Sequence, residues 1–169
     1  IKDLKQLSSS LTNLIGRALQ ASNVQLFLSS DSGDFVQVPH TVQGSSPLRL
    51  ASRCPILRWV KAKQNLLYRN DIDVTPQLQS LTRNEMNVLN STRAALIVPI
   101  ITKEKKLTGV IILGEKLSQL DYSKEDERLI LAVADRMVTT LENARLYDFE
   151  KIIREQIERE SAQKTEFLH

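Results

Sequence analysis

The stretch Arg93–Glu115, RAALIVPIITKEKKLTGVIILGE, decides the fold. Ala94 to Ile101 and Leu107 to Leu113 are nearly continuous apolar runs, separated by the polar segment Lys103 to Lys106. Runs of this length, rich in Ile and Val and joined by so short a turn, predict two adjacent strands in the centre of a sheet. Pro99 cannot donate a ladder hydrogen bond, so a bulge or an edge is expected at that point.

Working outward, Val24, Leu26 and Leu28 alternate with other residues, the segment Ser29–Asp34 (SSDSGD) punctuates, and Phe35 to Val38 resumes the β pattern. This is a hairpin about a Gly-containing turn. Residues 41–52 are rich in Ser, Gly and Pro and read as a loop. Residues 52–64, SRCPILRWVKAKQ, predict a short helix with Pro55 in its first turn, where a missing N–H costs nothing. Residues 65–71 predict a short strand. Residues 74–91 predict one further helix, with Thr75 as cap and Pro76 at its first position.

Both ends are helical. Leu4, Leu7, Leu11, Leu14 and Ala18 recur at spacings of three and four. That stripe suits either a partner helix or packing on the chain's own core. From Ser123 onward no Pro or Gly interrupts 47 positions, roughly 70 Å if wholly helical. Ser123 and Asp126 have capping-box spacing, and Leu129, Val133, Met137 and Leu141 form one stripe. Farther on, Glu150/Arg154, Glu155/Arg159 and Glu160/Lys164 are i,i+4 pairs in the favourable acid-to-base order. Beside them Leu146, Phe149, Ile153 and Ile157 make a narrow seam, revived by Phe167 and Leu168. The tail reads as a solvated, weakly paired helix or as one strand of a parallel dimer stalk. A lone helix of this length buries too little to stand by itself.

Local hairpins with helices at both ends predict an α+β domain on an antiparallel sheet. At 169 residues the chain is about one domain, 41% hydrophobic and 25% charged. No apolar run approaches the roughly 20 residues of a membrane span. Residue 1 opens directly in an amphipathic pattern rather than in a leader. The single Cys54 fits a reducing, cytoplasmic setting. A net charge of +3, interleaved signs and 5% aromatics argue against nucleic-acid binding. There is no CxxC, no Cys/His zinc cluster, no P-loop and no nucleophile elbow.

Several motifs resemble a known family. Val98-Pro99-Ile100, Leu107 with Gly109-Val110, Leu113-Gly114, Tyr122-Ser123 with Asp126, and above all Leu141-Glu142-Asn143-Ala144-Arg145-Leu146-Tyr147 are similar to the C-terminal half of GAF domains. The helix around CPILRWVK resembles one in GAF domains of bacterial sensor histidine kinases. The likeness covers residues 4–147. Lys164-Thr165-Glu166-Phe167-Leu168 resembles the lead-in to the kinases' dimerisation helix, which places the terminal His169 before the phosphoacceptor box rather than in it.

The resemblance implies a GAF-like (profilin-like) antiparallel sheet of about five or six strands flanked by helices. It implies a sensor domain over 1–147 and a linker helix over 148–169 entering the kinase's dimerisation domain. A homodimer through the N- and C-terminal helices follows, with Leu141, Leu146, Phe149, Ile153 and Ile157 on the signalling helix. The other partner is the downstream kinase domain of the same chain, and no membrane contact is expected. No catalytic residue, metal or cofactor is expected, though a small molecule could occupy one face of the sheet. Candidate lining residues are His40, Cys54, Trp59, Tyr68 and Arg69. Each has a plain alternative: a loop histidine, a buried thiol, a core tryptophan, residues closing a strand. Bilin-anchoring relatives usually place His directly after the Cys, and here Pro55 follows. A ligand-free dimerisation spacer and a chromophore-bearing domain are the competing readings.

Overall fold

The computed structural model describes residues 3–38 and 46–168, with side chains up to residue 163. The elements run α1 (Leu4–Leu19), β1 (Val24–Ser29), β2 (Phe35–Val38), β3 (Arg49–Leu50), α2 (Pro55–Lys63), β4 (Leu67–Tyr68), α3 (Arg69–Ile72), a 3₁₀ turn (Pro76–Leu78), α4 (Arg83–Ser91), β5 (Leu96–Ile101), β6 (Leu107–Leu113) and α5 (Lys124–Leu168). One six-stranded antiparallel sheet has the order β3-β2-β1-β6-β5-β4. The two apolar runs do lie at its centre: Val98 pairs with Ile111, which pairs on its other side with Leu26.

The apolar runs are continuous because each face of the sheet has its own cover. Phe27, Ile97, Val110 and Ile112 face a core shared with Ile56, Leu57 and Val60 of α2, Ile72 of α3 and Val88 and Leu89 of α4. Leu26, Leu28, Val98, Ile111 and Leu113 face a second core with Ile15 and Leu19 of α1 and Ile130, Ala134, Met137 and Leu141 of α5. Pro99 pairs with Val110 on one side, whereas β4 reaches only Ile97 and Leu96, so its missing donor lies where β5 has lost that neighbour. A register shift follows at Ile100/Ile101.

The structure departs from the sequence expectations in five places. Arg49–Leu50 is a strand inside the expected loop, paired with Phe35 and Val36. Residues 65–71 hold only a two-residue strand, and Arg69 opens a helix. Residues 74–91 are not one helix. Gln79 Nε2 donates to the carbonyls of Ile72, Asp73 and Thr75 at 3.2, 3.0 and 2.9 Å and fastens this segment as a turn. The chain then restarts at Thr82, whose side chain caps Glu85 N while Glu85 caps Thr82 N. On α1 the buried positions are Ser8, Ile15 and Leu19, with Leu14 and Ala18 exposed. A seven-residue seam drifts on a helix of 3.6 residues per turn, so the packed stripe moves off it. On α5 the expected stripe steps by four and gains about 40° per step, so Ile130 and Ala134 replace Leu129 and Val133 as the deepest residues, in line with Met137 and Leu141.

Gly109 is required by the close approach of β6 to β1. A Cβ there would meet the Phe27 carbonyl oxygen at 2.8 Å and Leu28 Cδ2 at 2.9 Å. Gly109→Ala is expected to destabilise the domain by more than about 2 kcal/mol, read as a lowered urea midpoint at unchanged slope.

Candidate functional site

The sequence candidates are not assembled into one site. His40 lies outside the described residues. Cys54 and Trp59 belong to α2 and the core it covers. Tyr68 is on the opposite face of the sheet, packed against the core of α1 and α5. Arg69 lies at a rim, 3.4 Å from Asp73, in a depression of about 560 Å³ shared with Arg93, Glu115 and Lys116. Strand alternation explains the split, because Leu67 and Tyr68 are consecutive and must face opposite sides.

Cys54 is 4% exposed and stands at the N-cap of α2. Burial pushes its thiol up to about 12, and the neighbouring Glu85 carboxylate adds to the shift. Glu85, itself 1% exposed, is a site the sequence reading missed. Its Oε1 accepts from Thr82 N and Thr82 Oγ1, whereas Oε2 is buried with no hydrogen-bond partner. The T-x-x-E spacing at Thr82 was the available signal. The layer around this pair is otherwise filled by apolar side chains, from Phe27 to Leu78.

Helix α5 is where the fold gathers its polar ties. Its start is a reciprocal capping box: Ser123 N donates to Asp126 Oδ2 at 2.9 Å and Asp126 N to Ser123 Oγ at 3.0 Å. Lys116 Nζ lies 2.7 Å from the same carboxylate. These contacts, the lysine first, hold the Asp126 carboxyl below its usual value. Tyr68 Oη donates to Glu127 Oε1. Burial, then this bond, raises the Tyr68 phenol. Near the far end of the packed region, Arg145 Nη2 donates to the Ser29 carbonyl at 2.7 Å, fastening α5 to the β1–β2 hairpin. Leu4 N donates to Asp148 Oδ2 at 3.4 Å and brings in α1. Glu127 and Asp148 carried no distinguishing signal by themselves, and Arg145 stood out only as part of the Leu141–Tyr147 motif, since each bond is made to a residue distant in sequence.

Beyond these ties the helix continues with residues 151–163 all exposed. Leu146, Phe149, Ile153 and Ile157 are 55%, 59%, 41% and 60% exposed. Leu141 does not belong with them: it is 4% exposed and packs on the chain's own sheet. Leu146 is five residues on, about 140° round the helix, so the open seam and the packed stripe lie on different sides. Between α1 and α5 a groove of about 400 Å³ is lined by Leu7, Thr140, Ala144, Leu146 and Tyr147.

The comparisons agree with this architecture. The GAF domain family profile matches residues 3–143. The chain belongs to the GAF domain family. Among solved structures, this GAF domain resembles a GAF domain/HD domain protein from Geobacter sulfurreducens (15% identity, TM-score 0.65, 88% of this chain and 98% of that one). It also resembles the GAF domain of a phosphoenolpyruvate-protein phosphotransferase from Coxiella burnetii (20%, 0.64, 88% of each). The Thermosynechococcus elongatus PixJ GAF domain in its blue-light absorbing form is similar too (19%, 0.57, 89% and 90%). At such identities the likeness shows the fold alone. No curated protein matches the chain. Among the described residues, no helix is long and apolar enough to cross a membrane.

Two predictions follow from this geometry. The lowered Asp126 value means its contribution to stability is present above the ordinary 3.8 and is lost as pH falls through the folded value. Asp126→Asn is therefore expected to cost about 1 kcal/mol at neutral pH and almost nothing in strong acid, compared by urea unfolding of both proteins. Cys54, held as a buried thiol, is expected to resist an aromatic disulfide reagent in the native protein and to react fully in urea. Rapid native labelling would place the thiol at the surface instead.

Proposed function

We propose that this GAF domain is the regulatory input of a cytoplasmic two-component sensor histidine kinase, passing its state through a dimeric helical stalk to a kinase domain that follows in the same chain. The observation that carries the reading is α5 itself. One uninterrupted helix begins in the capping box at Ser123, crosses the packed face, and runs out as an exposed apolar seam toward Lys164–Leu168. That end resembles the lead-in to a phosphoacceptor helix. The fragment supplies regulation and no catalysis, and the boundary between domain and linker falls near residue 147, just past Arg145.

The exposed seam favours a second copy of the same helix. Its steps of three, four and four span eleven residues, a spacing at which helices pair nearly straight with a slight right-handed twist. The groove between α1 and α5 offers the same partner a second contact, so both terminal helices contribute to the homodimer. Signal passage then requires only two arrangements of the paired helices with different affinity for the upstream state.

The apolar filling between the sheet and α2 supports a ligand-free version of this reading, in which the domain is a dimerisation and spacing element. Native mass spectrometry separates the two, because added small-molecule mass would remove the ligand-free version. For the dimer, Phe149→Glu with Ile153→Glu is expected to convert a dimer into a monomer at equal concentration, followed by light scattering. The wild-type chain running as a monomer at high concentration would sink the stalk.

A further inference from the structure

The signs of charge are interleaved along most of the chain, but one long segment breaks the pattern. Between Asp34 and Asp71 there is no acidic residue, while Arg49, Arg53, Arg58, Lys61, Lys63 and Arg69 are all present. Two of these are answered in the folded domain: Arg49 by Asp34 at 3.8 Å and Arg69 by Asp73 at 3.4 Å. The other four are exposed on α2 or directly before it and make no ion pair among the described residues. They belong to the layer that covers the sheet face opposite α5. Helix α5, in contrast, carries eleven acids against eight cations.

Helix formation does not account for this cluster. Lys61 and Lys63 lie in the last turn of α2, where cations suit the helix dipole. Arg53 precedes the N-terminus, where the dipole opposes it, and Arg58 sits one turn before Lys61, a like-charge pair that weakens a helix. We infer that the outer face of α2, presented by Arg53, Arg58 and Lys61 with Lys63 at its C-terminal flank, is a docking surface for an acidic segment of a partner protein.

The surroundings favour a protein over the other polyanions. Nucleic-acid sites of this kind combine cations with free aromatic rings for stacking, and the one aromatic on α2, Trp59, is packed against the core. A membrane surface would call for apolar side chains pointing outward, and Ile56, Leu57 and Val60 are all turned inward. What remains exposed is a group of long, flexible cations on and just before one short helix, with Arg58 and Lys61 one turn apart. Such a group suits carboxylates arrayed on another chain, and its pull is expected to weaken with salt.

Trp59, the single tryptophan, reports on this face without labelling. The intact chain would be titrated with poly-L-glutamate at about 50 mM salt, where the screening length still exceeds about 10 Å, and Trp59 emission followed. A saturable change is expected, weakened about tenfold in Arg58→Glu/Lys61→Glu, since each exposed contact has a modest share. Lys103→Glu/Lys106→Glu, with the same change of net charge on the β5–β6 turn, should bind as wild type. If the first variant loses its circular dichroism, Arg58→Gln/Lys61→Gln carries the comparison, with a smaller expected loss. Equal weakening in the hairpin variant, no saturable response, or tighter binding of a single-stranded oligonucleotide or of phosphatidylserine vesicles than of poly-L-glutamate would each overturn the assignment.

Discussion

The pairing of β6 with strands on both sides is the constraint on which the domain rests. Its residues are apolar on both faces, so it is stable only inside a three-layer arrangement with helices above and below. A sheet with two apolar faces needs two covers, and the chain supplies them from different places. One cover comes from the middle of the sequence, α2 to α4. The other joins the two ends, α1 and α5, across the same sheet. Each large side chain buried in these layers contributes about 1.5–3 kcal/mol relative to exposure. Beyond residue 148 the described side chains form no ion pair: Arg159 turns to the Glu155 backbone carbonyl and to Gln156 instead of the Glu155 carboxylate. The folded body is therefore secured by its core, while the outer part of α5 buries none of its described side chains on the domain.

This division gives the two faces different roles. Among the described residues the layer under α2 is mostly apolar, with Cys54 and Glu85 among its buried polar groups and a cationic outer skin. The layer under α5 is stitched by polar bonds to four places around its apolar contact with the central strands: Tyr68 from the sheet edge, Lys116 from the loop after β6, Ser29 from the hairpin and Leu4 from α1. A change in either layer meets the other through the sheet, and the dipeptide Leu67-Tyr68 belongs to both, one side chain in each core.

Much of the fold was legible because hydrophobic period and punctuation agree. The apolar runs around Lys103–Lys106, the SSDSGD turn, Pro55 after Cys54 and the Ser123/Asp126 box all carry local signals that the folded chain obeys. The misreadings arose where tertiary contacts overrode a local pattern. Gln79 bonding back to three carbonyls ended a helix that propensity would have continued. A two-residue strand such as Arg49–Leu50 has no pattern to read. The buried stripe of α1 followed the helical period and left the heptad, whereas that of α5 left an i+4 row for alternating steps of four and three. The site was less legible than the fold. Cys54, Trp59, Tyr68 and Arg69 are close in sequence yet distributed over two cores and a rim, and the bonds that fasten α5 join residues up to 144 positions apart.

The spacing of the two main ties on α5 has a mechanical consequence. Glu127 and Arg145 are 18 residues apart, about 27 Å of helix, and a further 23 residues, about 35 Å, extend to Leu168. In those terms the helix is a beam on two supports with an overhang longer than its span. With Arg145 as fulcrum, a sideways movement at Glu127 returns at the tip in the opposite direction, enlarged by a factor of about 1.3 for a straight helix. Displacements of side-chain size at the sheet edge thus need no amplifier to be felt far outside the domain.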